Sequence, residues 1–251
     1  MGKSVNSRFV PIAAAVGDSA HGDRIAGTLV GAGRNADVYD IGGGRVLRRY
    51  RDGRDADAVD REAQVMVHAR AHGVPVPEVF EVSGSDMVME RAMGPTMLDV
   101  LARRPWTLRS QARLLARLHA TVHQAPALPG LRAPLGDEDL DNQVLLHRDL
   151  HPINVILTST GPVIIDWEGA ARGPAMLDVA LTWAIIGFSD VPETGLGAAA
   201  VRSVQSLFTR SFARAAGPLD RSWRAAGVRH RLTDPNVLPS ERARLERLPH
   251  D

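Results

Sequence analysis

The chain has 251 residues, 44% hydrophobic and 24% charged, which is the composition of a folded globular protein and excludes extensive disorder. Its formal net charge of +1 gives no bulk electrostatic reason to expect a nucleic acid or a membrane surface as partner. The absence of cysteine excludes disulfides, thiolate zinc sites and a cysteine nucleophile, and fits a reducing cytoplasm, where we expect the protein to reside.

The predicted elements begin after an N-terminal arm. The apolar stretch at 9–16 is marginal for a signal-peptide core and too short to span a bilayer, so residues 1–24 are predicted to be loosely packed. Glycine-broken strands with a GGG turn at 42–44, followed by an amphipathic helical pattern, predict a sheet-plus-helix lobe over residues 25–92. Its segments are strands at 28–33, 37–44 and 45–51, a helix at 55–73, and extended segments at 74–82 and 86–91.

The rest of the chain, residues 93–251, predicts a larger and mainly helical lobe. Within it, VIL and PVIID are separated by TSTG, which predicts a second small hairpin. The pattern as a whole indicates an α+β protein with a small antiparallel sheet, one main helix beside it, and a helical second lobe. The helices of this lobe are predicted at 98–106, 108–124, 176–187, 197–215 and 239–248.

The stretch LLHRDLHPINVIL at 145–157 places polar groups around that hairpin. Asn154 immediately precedes one strand and Asp166 ends the other, so pairing of the strands puts both side chains at one end. Mg²⁺ takes oxygen ligands, usually one or two from protein and the rest from phosphates and water. Asp149, on the loop before them, is placed to accept the proton of a substrate hydroxyl that attacks a phosphoryl group. Taken singly, each residue fits a turn cap or a strand end; the joint spacing favours a catalytic loop.

These residues resemble those of the protein-kinase-like phosphotransferases, in particular the aminoglycoside phosphotransferase group with its choline kinase and homoserine kinase relatives. The H-x-D-x-x-x-x-N loop of that family matches HRDLHPIN at 147–154, and its metal-binding Asp after a short hairpin matches Asp166 in IDW. The resemblance implies a protein-kinase-like two-lobed fold. It also implies that Asp149 is the catalytic base, that Asn154 and Asp166 bind Mg²⁺, and that His147 supports the loop structurally.

The resemblance extends to the N-terminal half, where LVGAGRNADVY stands in the place of the glycine-rich loop over the nucleotide phosphates. Gly31 and Gly33 let backbone N–H groups approach phosphate oxygens, although a plain turn also explains them. The family's strand lysine, which contacts the α and β phosphates, is replaced by Arg48, which keeps the positive charge with a different geometry. Glu62 is the expected ion-pair partner of Arg48; the alternative is a surface pair that contributes little.

The resemblance also predicts roles for two further segments. MVMERAMG stands where the family places the hinge between lobes, so backbone groups from Glu90 to Ala92 are expected to face the nucleotide base. Asp178 matches a buried Asp that bonds to the backbone of the catalytic loop, which is the kind of partner a buried carboxylate needs. Three histidines lack the mutual spacing of a convincing metal site: His119, His123 and His151.

The leading hypothesis is a Mg²⁺-dependent kinase that transfers the γ-phosphoryl group of ATP or GTP to a hydroxyl of a small molecule, with no nucleic-acid or membrane partner. A second hypothesis, suggested by Arg48 alone, is a nucleotide-binding regulatory protein with little turnover. A third is an RNA-associated module that uses the ten arginines among residues 201–251. The resemblance weakens after residue 190, so neither the acceptor nor the oligomeric state is assigned. The acidic run at 136–142 lies just before the catalytic motif and is a candidate for a place near the cleft, with a solvated surface as the favoured alternative.

Overall fold

A computed structural model describes residues 27–51, 56–134, 143–190 and 195–248 of the chain. The predicted arm at 1–24 and the acidic run at 136–142 lie outside the described residues. The described residues divide into two units. One contains the residues up to 67 and those at 77–92, and the other contains residues 68–76 and those from 93 onward.

The first unit contains five strands in one antiparallel sheet and most of a helix that follows the third strand. These elements are β1 (Thr28–Ala32), β2 (Ala36–Gly42), β3 (Arg45–Tyr50), α1 (Ala56–Ala71), β4 (Val79–Ser83) and β5 (Asp86–Glu90). The strand order is β1-β2-β3-β5-β4. Gly43 and Gly44 turn the chain between β2 and β3 with φ angles of 61° and 73°, which glycine adopts without steric cost. The predicted small antiparallel sheet with one main helix is therefore confirmed.

The second unit is mainly helical. Its helices are α2 (Met97–Arg103), α3 (Leu108–Val122), α4 (Ala175–Phe188), α5 (Gly195–Ala216), α6 (Arg221–Leu232) and α7 (Pro239–Leu245), together with the last turn of α1. Ala112, Leu115 and Val122 recur on the buried face of α3, and α4 is apolar nearly all round, as a core helix must be. The predicted α+β fold class is confirmed. Among the described helices, none is long and apolar enough to cross a membrane.

Two short antiparallel strand pairs lie around the sequence HRDLHPIN: β6 (Val144–Leu146) with β9 (Ala171–Gly173), and β7 (Val155–Thr158) with β8 (Gly161–Ile164). The β7–β8 pair is the predicted hairpin, with Val155 opposite Ile164. The sequence does not predict the β6–β9 pair, because three-residue strands carry too little periodicity. Gly94 packs on the hairpin, and a Cβ atom at this position would overlap the carbonyl oxygen of Leu157. Glycine is therefore required there by close backbone packing.

Helix α6 is the element that the sequence patterns miss. It begins at the N-cap Asp220, whose side chain accepts a hydrogen bond from Trp223 N at 2.9 Å. Three of its four buried residues are small, Ala225, Ala226 and Gly227, and Val228 is the one larger apolar residue among them, so the helix carries only a weak apolar stripe. The small residues permit close packing: a Cβ atom at Gly227 would lie 2.6 Å from the carbonyl oxygen of Ala180 in α4.

We expect Gly227→Ala to destabilise the protein, although Gly→Ala stabilises an open helix by roughly 1 kcal/mol. The added methyl group has no room against α4, so the free energy of unfolding should fall by about 1–3 kcal/mol. Urea denaturation of both proteins measures the difference. The control is Arg221→Ala, an exposed position on the same helix, where the change should stay within about 0.5 kcal/mol. A more stable Gly227→Ala variant would contradict the close α4–α6 packing.

Candidate active site

The carboxylate of Asp178 fixes the backbone at the start of the HRD sequence. One oxygen, Oδ2, accepts the backbone N–H of His147 at 3.1 Å, and the other, Oδ1, accepts that of Arg148 at 2.6 Å. Asp178 lies in the first turn of α4 and is fully buried. The expectation that this residue bonds to the backbone of the loop is confirmed. A buried charge with two N–H donors orients both peptide groups firmly.

Two histidines of α3 complete the surroundings of Asp178. His123 Nε2 lies 3.1 Å and His119 Nδ1 lies 3.6 Å from Asp178 Oδ2. Burial by itself raises the pKa of Asp178, but the contacts with the two histidines outweigh it and hold this pKa well below its ordinary value. The sequence did not reveal this convergence, although the i, i+4 spacing of the two histidines places them on one face of α3.

His147 supports the loop by a hydrogen bond at each ring nitrogen. Its Nδ1 accepts the backbone N–H of Asp149 at 3.2 Å, and its Nε2 lies 3.1 Å from the carbonyl oxygen of Ile165. We therefore assign the neutral tautomer with the proton on Nε2, which donates to Ile165. Burial lowers the pKa of His147 and favours this neutral form, against the opposing charges of the neighbouring carboxylates. The ring also lies against Trp167, with the two centroids 4.5 Å apart and the ring planes tilted by 57°.

Asp149 and Asn154 are held together by a bifurcated contact. Asn154 Nδ2 donates to the backbone oxygen of Asp149 at 2.8 Å and to its carboxylate Oδ2 at 3.1 Å. Asn154 ends a short 3-10 helix, Pro152–Asn154, and is buried. The Asp149 side chain is 42% exposed, so a reactant has access to the carboxylate although its backbone is fixed. Because Nδ2 is turned toward Asp149, the amide oxygen Oδ1 of Asn154 points the other way.

The pKa of Asp149 is lowered from its ordinary value. Burial acts in the opposite direction, but it is outweighed by the hydrogen bond from His151 and by the electrostatic interactions with His151, His147 and Arg231. His151 Nε2 lies 3.4 Å from Asp149 Oδ1. At neutral pH the group is consequently ionised.

Asp166 follows the β7–β8 hairpin by two residues and has a left-handed backbone with φ of 67°. The chain is pinned there because Ile165 N donates to the carbonyl oxygen of Asn154 at 3.0 Å. This bond joins the two ends of the hairpin, so the backbones carrying Asn154 and Asp166 meet as the strand pairing predicted. Left-handed backbone is uncommon for a residue other than glycine and costs roughly 1 kcal/mol, which makes it a marker of functional positions.

In the first unit, the expected ion pair between Arg48 and Glu62 is present. Arg48 NH1 donates to Glu62 Oε1 at 2.8 Å, and the hydroxyl of Tyr50 donates to Glu62 Oε2 at 2.5 Å. The Arg48 guanidinium also lies over the ring of Tyr50, 4.8 Å from its centroid. The Glu62 side chain is 1% exposed, which excludes the alternative of a surface pair.

The other residues predicted to bind nucleotide also lie in the first unit. Gly33 N donates to Ala36 O at 2.8 Å, so this glycine shapes a turn between β1 and β2, whereas the backbone at Gly31 belongs to β1. Glu90 N donates to Glu78 O at 2.8 Å, so this N–H group is already hydrogen-bonded within the first unit. Contacts of Gly31, Gly33, Glu90 and Ala92 with a nucleotide stay predictions.

The sequence profile of the phosphotransferase enzyme family, APH, matches residues 26–143 and 131–216, which together cover most of the chain. The chain belongs to this family. The matched range contains the HRD loop, Asp166 and Asp178 as well as the Arg48–Glu62 pair. The resemblance drawn from the short motifs is therefore confirmed.

The chain is also similar to a curated relative and to solved structures. A probable serine/threonine-protein kinase BUD32 homolog of Archaeoglobus fulgidus is 27% identical over 106 residues, which are 42% of each chain. The chain thus spans less than half the length of that relative. The gentamicin complex of APH(2")-IIa has 12% identity over 88% of this chain and 91% of that chain, with a TM-score of 0.58. The amicoumacin kinase hAmiN, in complex with AMP-PNP, Ca²⁺ and Ami, has 15% identity over 88% and 86%, with a TM-score of 0.50. The two structures show a shared fold.

We expect Asp178→Asn to destabilise the protein by about 3 kcal/mol, because a neutral amide presents N–H groups where the carboxylate accepted them. The pKa of Asp178 is lowered on folding, so the carboxylate contributes stability above its unfolded pKa, and this contribution is lost as the pH falls. The deficit of the variant should therefore persist from about pH 8 to pH 5 and shrink below about pH 4. Denaturation at several pH values measures it. Asp220→Asn is the control, since either residue caps a helix N-terminus well.

Proposed function

We propose that the protein is a small-molecule kinase that transfers the γ-phosphoryl group of ATP or GTP to a hydroxyl group of a small-molecule acceptor. The observation that carries the proposal is the Asp149 carboxylate: it is accessible, it is ionised at neutral pH, and its backbone is fixed by His147. In this assignment residues 25–92 bind the nucleotide, and residues 93–251 carry the catalytic loop, the metal ligands and the acceptor site. Family membership supports the reaction class.

Asp149 is the proposed catalytic base. Its carboxylate accepts the proton of the acceptor hydroxyl while the new O–P bond forms and the bond from the γ phosphorus to the bridging oxygen breaks. Asn154 Nδ2 holds Oδ2 of this carboxylate and His151 lies beside Oδ1, so the side chain is oriented before the acceptor arrives. Fixed orientation contributes to rate because the reacting groups do not have to be ordered at each turnover.

Asn154 and Asp166 are the proposed ligands of Mg²⁺. The donor set fits a hard cation, because the Asn154 amide turns its nitrogen to Asp149 and directs its oxygen away, and the Asp166 backbone is joined to that of Asn154 through Ile165. When bound, Mg²⁺ neutralises charge on the β and γ phosphate oxygens. The structural similarity to an amicoumacin kinase solved with AMP-PNP and Ca²⁺ supports a nucleotide and a divalent cation in this chain.

Arg48 takes the place of the lysine that holds the α and β phosphates in the proposed nucleotide site. Its bond to the buried Glu62 supports that role, because the same strand-to-helix ion pair is the one the family requires. The regulatory alternative rested on Arg48 alone and is not favoured once this pair is present. A cytoplasmic location and independence from nucleic acid belong to the proposal as well, with the acceptor's chemical class left to experiment.

The central test is Asp149→Asn. We expect kcat for Mg²⁺-dependent phosphoryl transfer from ATP or GTP to fall about 10²–10⁴-fold, because an amide does not accept the hydroxyl proton. Transfer is measured on a panel of hydroxyl compounds, and nucleotide affinity is measured separately by calorimetry, where we expect little change. Asp60→Asn, an exposed carboxylate on α1, is the control. An Asp149→Asn variant that transfers phosphate as fast as wild type would remove the main support for the proposal.

A second test addresses Arg48. Arg48→Met should raise the KM for nucleotide about tenfold or more, corresponding to roughly 1.4 kcal/mol, whereas Arg48→Lys should retain most of the affinity because it keeps the charge. Arg49→Met is the matched control, since Arg49 lies on the same strand and pairs with Asp86 at 2.6 Å. If both methionine variants change the KM equally, Arg48 has no special role in nucleotide binding.

A further inference from the structure

Helix α6 lies beyond the part of the chain that the family profile matches, which ends at residue 216, yet it reaches the catalytic loop. Two consecutive residues of α6 act there. Arg148 NH2 lies 2.6 Å from His230 Nε2, and the charge of Arg231 helps to lower the pKa of Asp149. These contacts connect the residue next to the proposed base with a segment that lies outside the family match.

Arg148 occupies a strained position that requires support. Its φ of 68° is left-handed, which costs an arginine roughly 1 kcal/mol or more. The backbone N–H is held by Asp178, and NH1 donates to the carbonyl oxygen of Gly169 at 3.1 Å. His230 holds the remaining end of the guanidinium. The side chain is therefore fixed on two sides, and the peptide that leads to Asp149 is fixed with it.

His230 must be neutral to accept a hydrogen bond from an arginine, because the guanidinium only donates. Burial lowers the pKa of His230 to about 4, with the charges of Arg148 and Arg132 acting in the same direction and Asp234 opposing them. The imidazole is consequently an uncharged acceptor throughout the neutral range. An acceptor of this kind orients Arg148 without adding a negative charge beside Asp149.

Helix α6 is itself tied down by α7 at the same position. Arg231 donates from Nε to Glu241 Oε1 at 2.8 Å and from NH1 to Asp234 Oδ2 at 2.6 Å. Glu241 is buried, so this pair holds the end of α6 in place and fixes the location of the Arg231 charge. The adjacent His230 is thereby presented to Arg148 from a rigid support.

We propose that His230 is a positioning residue that orients the catalytic loop by accepting a hydrogen bond from Arg148, the residue before Asp149. This inference rests on the proposed function of Asp149 as catalytic base. In this proposal α6, which lies outside the family match, contributes to turnover and does not contribute to nucleotide binding. Because the imidazole accepts only when neutral, the link forms at neutral pH and is lost when His230 is protonated near pH 4.

The kinetic experiment compares His230→Leu, which removes the acceptor, with His230→Gln, whose amide oxygen replaces it. We expect His230→Leu to lower kcat about 10²-fold with the nucleotide KM unchanged within about twofold, since a misplaced loop affects the reaction and not nucleotide binding. His230→Gln should recover most of the loss. His72→Leu, an exposed histidine after α1, is the control. Equal kcat values for His230→Leu and wild type, or equal losses in the Leu and Gln variants, would overturn the proposal.

A second measurement needs no phosphoryl acceptor and so separates this inference from the proposed kinase activity. The pKa of His230, followed by NMR of the imidazole, should lie near 4 in wild type and rise toward its ordinary value in Arg148→Met, where the donor and a positive charge are lost. An unchanged pKa in Arg148→Met would overturn the link even in an active enzyme. A raised pKa together with no turnover in wild type would count against the proposed function and leave the link standing.

Discussion

The arrangement of the catalytic loop depends on one buried carboxylate, that of Asp178. It accepts the backbone N–H groups of His147 and Arg148 and contacts two histidines of α3. Burying an ionised carboxylate is costly unless several donors face it, and these donors come from the loop and from α3. The hydrogen bonds that offset the cost of burying the Asp178 carboxylate therefore also fix two peptide groups. One of these belongs to Arg148, whose backbone is left-handed. Loop geometry and core stability are thus inseparable here.

Three separate parts of the chain support Asp149 from different sides. His147 holds its backbone N–H, and Asn154 at the start of the β7–β8 hairpin holds its carbonyl and carboxylate oxygens. Helix α6 acts through Arg148 and through the charge of Arg231. No single element would determine the direction of the carboxylate, but a side chain whose backbone is held at both N–H and C=O retains few degrees of freedom. Such preorganisation is what a proposed general base requires.

Sequence reasoning found what local patterns encode and missed what depends on distant partners. Turn residues and periodicity within short windows predict the hairpin and α1. They also predict that Asn154 and Asp166 lie at one end of the hairpin, with Asp149 on the loop before it. The pairing of Arg148 with His230 joins residues 82 positions apart, which no local pattern signals. Helix α6 itself was missed because three of its four buried residues are alanine or glycine, and its arginines suggested a solvated segment. Its one local signal was Asp220, a good N-cap.

Arg48 is where the chain departs from its family, and the surrounding side chains explain how the departure is accommodated. A guanidinium is wider than an ammonium group and presents five N–H donors in place of three. The bond to Glu62 therefore takes a smaller fraction of the N–H donors of an arginine than of a lysine. Tyr50 supplies the second donor to Glu62 and stacks beneath the guanidinium. The buried glutamate is therefore bonded by two side chains of one strand. An arginine in this setting keeps a positive charge at the position and holds it beside a buried carboxylate, which supports the nucleotide-binding role proposed for Arg48.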